Sequence, residues 1–241
     1  MHSLKTNSQR RPYIQRLYDD PVSGPEIEAI SFAAIDRLRR GDAPNDRRWQ
    51  IVRRMIHTCA DFSIANRVRF SPDAIESAIG ALSAGRPIFA DSNMIRSGLS
   101  LARLQSVHSG YGPNHVRCHV ADPDVADQAM KAGLPRSLFA VRKAAPMLHD
   151  GIAVFGNAPV ALLELNRLIM EKVLRPALVI AMPVGFVHVL ESKRELMGLD
   201  VPYIVLTGRR GGSGLAVSCL HALCALAAQT GLSNNKENSD A

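Results

Sequence analysis

The chain has 241 residues, is 46% hydrophobic and 21% charged, and carries a formal net charge of +7. That length and apolar share support one large domain or at most two small ones, and argue against a disordered or fibrous chain. No run of about 18 apolar residues is present, so no transmembrane helix is expected, and the polar start MHSLKTNSQRRPYIQRLY lacks the apolar core of a secretory signal.

Arginine makes up 23 of the 29 basic residues. Its planar fork pairs with carboxylate or phosphate through two hydrogen bonds. The arginines are scattered, aromatic residues are only 5%, and no stretch interleaves the two. An anionic small molecule therefore fits better than nucleic acid. Cys59, Cys118, Cys219 and Cys224 form no CxxC pair and read as reduced, mostly buried thiols of a cytoplasmic protein.

Residues 1–23 read as an irregular arm. In 25–40, Ile27, Ile30, Ala34 and Leu38 share one face between Pro25 and Gly41, which predicts a helix. Residues 46–60 predict a second, with Val52, Met55, Ile56 and Cys59 on its apolar face. Residues 71–85 predict a third, with Ser71 as N-cap, Pro72 in the first turn and Gly85 at the end. Beyond it, short apolar runs at 87–90, 116–120, 151–155, 177–182 and 203–206 alternate with helical patterns at 92–101, 124–131, 135–148, 159–173, 191–197 and 213–229. This predicts an α/β fold: a single domain over 24–230, with a mainly parallel central sheet of about five strands flanked by helices, after a helical N-terminal region. The polar tail 231–241 reads as disordered.

Ligands of open α/β sheets gather at the carboxyl ends of the strands. The segments that follow the runs are DSNMIRSG, ADPD, GNAPVAL, PVGFVHVLESK and TGRRGGSGLA. The last, 207–216, is a glycine-rich loop opening a helix, suited to an anion or to a plain strand–helix turn. It is neither a P-loop nor a dinucleotide fingerprint. Asn157 reads as a helix cap or a pocket residue, and Lys193 as part of a solvated pair with Glu191 or of a pocket wall. His115, Cys118 and His119 on an extended segment are too far apart to chelate one metal ion.

Within RRMIHTCAD, helical spacing stacks Arg53, His57 and Asp61 along one stripe and turns Cys59 to the apolar face. That separates His57 from Cys59 and argues against a shared metal or a Cys–His dyad. A histidine flanked by cations and a carboxylate suits proton exchange near neutral pH, although an ordinary partly buried histidine has the same spacing.

Taken together, SFAAI (31–35), RRMIHTCADFSIANRVRFSPDAIESA (53–78), IFADSNMIRSGL (88–99), GNAPVALLEL (156–165), MPVGFVHVLESKREL (182–196) and VPYIVLTGRRGGSGLA (201–216) resemble precorrin-8X methylmutases, in the same order and over residues 12–228. The resemblance implies an isomerase of cobalamin biosynthesis that shifts a methyl group between adjacent ring C carbons of precorrin-8X or cobalt-precorrin-8, giving hydrogenobyrinate or cobyrinate. It implies no organic cofactor and no catalytic metal, an anionic tetrapyrrole substrate, a homodimer, and neither a nucleic-acid nor a membrane partner. By motif position it makes His57 the proton-handling residue and assigns substrate contacts to Ser31, Arg54, Arg136, Asn157, Lys193, Arg209, Arg210, Gly211 and Ser213. Asp61 is then expected to orient His57.

Overall fold

The structure, a computed structural model, describes residues 11–39 and 46–237, without the side chains of 232–237. The last residues of the expected tail, 238–241, and most of the start of the expected arm lie outside the described residues. The chain divides into two compact units, Met1–Gly41 and Asp42–Ala241.

The first unit holds α1 (Gln15–Asp19) and α2 (Gly24–Leu38). A capping box opens α2: the Ser23 hydroxyl accepts from Glu26 N–H, and the Glu26 carboxylate takes the Ser23 N–H at 2.8 Å. The division between the units thus falls after this helix, whereas the sequence pattern places the domain start before it. The apolar stripe of α2 (Ile27, Ile30, Ala34 and Leu38) is exposed.

The second unit is built on six strands: β1 (Val68–Phe70), β2 (Ile88–Ala90), β3 (Val116–Arg117), β4 (Ile152–Phe155), β5 (Leu178–Ala181) and β6 (Tyr203–Leu206). Their order is β1-β6-β5-β4-β2-β3. All pairings are parallel except that of β1 with β6. The five predicted runs are all strands, and β1 is the sixth. β4 and β5 are buried at every position, as strands covered on both faces must be.

The contacts sort the helices into two groups. α3 (Arg47–Cys59), α4 (Ala74–Ser83) and α5 (Asn93–Gly98) pack on α11 (Ser213–Glu237), and α6 (Leu101–Gln105) joins them. α7 (Pro123–Ala132), α8 (Arg136–Leu148), α9 (Pro159–Met170) and α10 (Val189–Met197) pack in sequence on one another. Alternate strand residues Phe89, Ala153, Phe155, Val179, Ala181 and Val205 share a buried cluster with the second group. The pleat turns their neighbours to the other face. Glu164, only 4% exposed, is held there by Arg142 at 2.7 Å and Arg167 at 2.6 Å.

Two expectations change. Ser71 does not cap α4, whose N-cap is Asp73. Its hydroxyl instead accepts from Tyr203 N–H at 3.0 Å while its N–H donates to Tyr203 O, closing the β1–β6 edge. α11 runs on to Glu237, past the predicted end. Among the described residues, Ser213–Gly231 of α11 is long and apolar enough to cross a membrane, a test that the core helix of a globular domain also passes. Its packing against α3, α4 and α5 makes it such a core helix.

His221 on α11 accepts from Ser100 N–H at 3.0 Å, at the start of α6. Burial, with Arg103 and Arg54 nearby, pushes its pKa down to about 4. The neutral ring is therefore the one folded in, while the unfolded chain takes up a proton near pH 6.5. Stability from this group is complete above that pH and is lost as pH falls toward 4. We expect the thermal midpoint to drop across this window, and His221→Gln, which keeps an acceptor, to flatten that slope in a pH series of melting curves.

Candidate active site

Parallel strands place their following loops on one edge of the sheet, and four of these loops meet here. β2 leads into Asp91 and Ser92, β4 into Gly156–Ala158, β5 into Met182–His188, and β6 into Thr207–Gly212. Gly156 is a contact point. A Cβ on it would lie 2.8 Å from Ser213 Cα and 3.0 Å from Gly212 C, so only glycine lets the β4 and β6 loops come this close.

Asp91 ties the β4 loop down. Its carboxylate accepts from the N–H groups of Gly156 (3.1 Å), Asn157 (2.9 Å) and Ala158 (2.7 Å). These groups belong to the loop that enters α9, the last of them at its N-cap, where an anion is favoured. The residue is 2% exposed, and burial pushes its carboxyl above the ordinary value against the pull of the three bonds. The helix end that the sequence offers to a ligand is thus occupied from within. Asn157 is not the cap of α9, which begins after Ala158 with no side-chain cap, and its side chain is exposed at the rim. Ser92 bonds Ser213, hydroxyl to hydroxyl, at 3.0 Å, and both residues are buried.

Lys193 ties the β6 loop down. It is 1% exposed, and its ammonium donates to Gly208 O and Arg210 O, each at 2.9 Å. Between these carbonyls, Arg209 O accepts from Gly185 N–H at 3.2 Å, and Gly212 N–H donates to Met182 O at 2.9 Å. Burial pushes the lysine's pKa down to about 8. Lys193 is therefore the inner support of the loop, not an open pocket wall. A Cβ on Gly211 would fall onto the carbonyl oxygen of Met182 and 2.6 Å from that of Pro183. The loop leaves Arg209 and Arg210 exposed. Arg67 borders the same loop, its Nη1 3.2 Å from where a Cβ on Gly208 would stand. Asp91 and Arg67 give no signal of these roles along the chain. Both lie inside the motif segments, but their contacts span long separations.

His57 is in the last turn of α3, exposed, with Arg54 half-buried one turn before. This turn sits against the first turn of α11, and Thr58 Cγ2 is 3.9 Å from the Cβ position of Gly214. The helix stops at Cys59 because Ala60 turns left-handed (φ 52°, ψ 28°). Two expectations fall with it. Cys59 is exposed, since the packed face ends one turn earlier at Ile56. Asp61 leaves the helical stripe: its Oδ1 accepts from Ser63 N–H at 2.9 Å, capping the 3₁₀ turn Phe62–Arg67, and its Oδ2 pairs with Arg210. The Arg210 guanidinium also donates to Ser63 Oγ at 2.6 Å. Asp61 therefore links the cationic loop to the segment just after His57.

His57, Arg54, Asn157, Arg209, Arg210, Gly211 and Ser213 thus fall on elements that meet at this edge, with Lys193 beneath them. Arg136 stands exposed at the first residue of α8. Ser31 lies on α2, in the first unit. His115 Nδ1 accepts from Gly112 N–H and His119 Nδ1 bonds Asp122, so each ring is engaged locally. Among the described residues no group of three or more His, Cys, Asp or Glu is placed to hold a metal ion.

The family model for precorrin-8X methylmutase matches residues 26–226. A cobalt-precorrin-8 methylmutase of Leptospira interrogans is 40% identical over 86% of this chain and 96% of its own length. A precorrin-8X methylmutase of a Sinorhizobium species is 33% identical over 86% of this chain and 96% of its own. The crystal structure of a precorrin-8X methylmutase from Thermus thermophilus superposes with a TM-score of 0.76 at 42% identity, over 85% of this chain and 98% of that one. The chain belongs to the precorrin-8X methylmutase family.

Two substitutions test the edge. Asp91→Ala strands three N–H groups, and we expect a loss of at least about 2 kcal/mol in urea denaturation. Gly211→Ala drives a Cβ into two carbonyls; its expected effect is a lowered thermal midpoint together with reduced turnover.

Proposed function

We propose that the chain carries out the methyl shift between adjacent ring C carbons of precorrin-8X or cobalt-precorrin-8, with His57 handling the proton. The chain is a methylmutase of cobalamin biosynthesis, an isomerase that moves a methyl group within one molecule. The substrate is a precorrin-type tetrapyrrole, a flat macrocycle edged with acetate and propionate groups. The observation that carries the assignment of roles is the meeting of the His57 end of α3 with the start of α11, beside the Arg209–Arg210 loop.

The reaction adds and removes no atoms. A protein assists it by giving and reclaiming a proton at the ring and by holding the macrocycle in one orientation. Exposed in the last turn of α3, His57 is the group placed to exchange that proton. Arg209, Arg210 and Arg54 supply cations for the peripheral carboxylates, and Asn157 adds an amide at the rim. Gly211 and Ser213 shape the floor beneath them. Ser31 and Arg136 complete the set of contacts in this reading.

A homodimer belongs to the same reading. The exposed stripe Ile27, Ile30, Ala34 and Leu38 supports it, because a second copy would cover an apolar surface that water otherwise meets. Light-scattering mass in solution checks it: a dimer mass is expected, and a monomer at working concentration would remove it.

The deciding experiment is anaerobic incubation of wild type and His57→Ala with precorrin-8X and with cobalt-precorrin-8, followed by absorbance. Wild type should convert at least one of them. The variant should bind with the same spectral shift while its kcat falls by about 10²–10⁴-fold, as for loss of a general acid–base group. Binding without conversion by either protein would make the chain a tetrapyrrole carrier. The faster substrate names the branch of the pathway.

A further inference from the structure

The loop Gly208–Gly212 has no regular structure of its own and carries two exposed arginines. Its carbonyls nonetheless point inward one after another. Lys193 Nζ takes Gly208 O and Arg210 O at 2.9 Å, and Gly185 N–H takes Arg209 O at 3.2 Å between them. A carbonyl held inward fixes the peptide plane, and fixed peptide planes on both sides of Arg209 and Arg210 fix where their side chains leave the backbone. The contact then continues outward. The Arg210 guanidinium reaches Asp61 and Ser63, at the start of the 3₁₀ turn that follows His57 by a few residues.

We propose that Lys193 is a positioning residue: from beneath the site it sets the cationic loop and, through Arg210 and Asp61, the chain segment that follows His57. It touches no substrate. Its burial leaves no surface to offer one, and two of its three N–H donors go to the backbone of its own chain. Glu191 and Arg194, its neighbours on α10, are more exposed and do not share this arrangement. This inference rests on the active-site reading above, in which that loop and His57 serve the same substrate.

The test compares wild type, Lys193→Met, which keeps the length without donors, and Lys193→Gln, which keeps N–H donors without charge. Amide hydrogen exchange is followed over 207–213, and kcat and KM are measured with the substrate that wild type turns over. For Lys193→Met the expected result is faster exchange confined to that segment and its partner segment 61–63. Its kcat should fall tenfold or more while KM stays within about threefold, the pattern of lost orientation rather than lost ground-state binding. Lys193→Gln should fall between the two in both readouts. Unchanged exchange in 207–213, or a raised KM at wild-type kcat, would overturn the proposal. Should Lys193→Met fail to fold, the same comparison is decided by Lys193→Gln. If wild type converts neither macrocycle, the active-site reading fails, while exchange still decides whether Lys193 holds the loop.

Discussion

At the end of a parallel strand the ladder stops pairing backbone groups, and every neighbouring strand reaches the same edge. Unpaired N–H and C=O groups therefore accumulate where the protein must also keep an open site. Buried, each costs the free energy of a lost hydrogen bond. Here the edge meets the requirement with two buried charges of opposite sign. The Asp91 carboxylate collects three N–H groups of the β4 loop, and the Lys193 ammonium collects two carbonyls of the β6 loop. No partner of opposite charge is needed for either, because oriented backbone dipoles take that place. Much of the site's geometry follows from this arrangement. Gly156 is small so that the two pinned loops can touch, Gly211 so that the β6 loop can lie against the carbonyls of Met182 and Pro183, and the pinned loops leave Asn157, Arg209 and Arg210 exposed.

Buried charges are an expensive way to fix a loop, since each must be taken out of water. Their advantage here is direction. A hydrophobic contact is non-directional, whereas a carboxylate that accepts three bonds, or an ammonium that donates two, holds peptide planes at set angles. The downward shift of Lys193 shows the cost of burying its charge. A site that binds a large, flat, many-carboxylate substrate needs its cations in fixed places more than it needs extra stability, and the charges are spent accordingly.

The layered fold was legible in the sequence because its signals are local. Strands β4 and β5 are unbroken apolar runs, and α3, α8 and α9 show helical spacing within single segments. β1 was not legible. Its three residues, Val68–Phe70, are too short to show alternation, and they are a strand only because β6 runs beside them from residue 203. The site divided in the same way. His57, Asn157 and the Arg209–Ser213 loop stand in motifs that can be read along the chain. The roles of Asp91, Asp61 and Lys193 depend on partners 15 to 149 residues away, and no periodicity reports those. Asp61 is the instructive case. Helical spacing aims it at His57, and one left-handed residue, Ala60, sends it to Arg210 instead.

That redirection ties the cationic loop to the segment after His57, so that Arg210 and Asp61 hold each other in place at the edge. The methyl shift itself requires no nucleophile, and no atom enters or leaves. What the protein can add is a macrocycle that does not turn while the group moves. That depends on parts of the backbone staying in place, and at this edge the backbone is held by the buried side chains of Asp91 and Lys193.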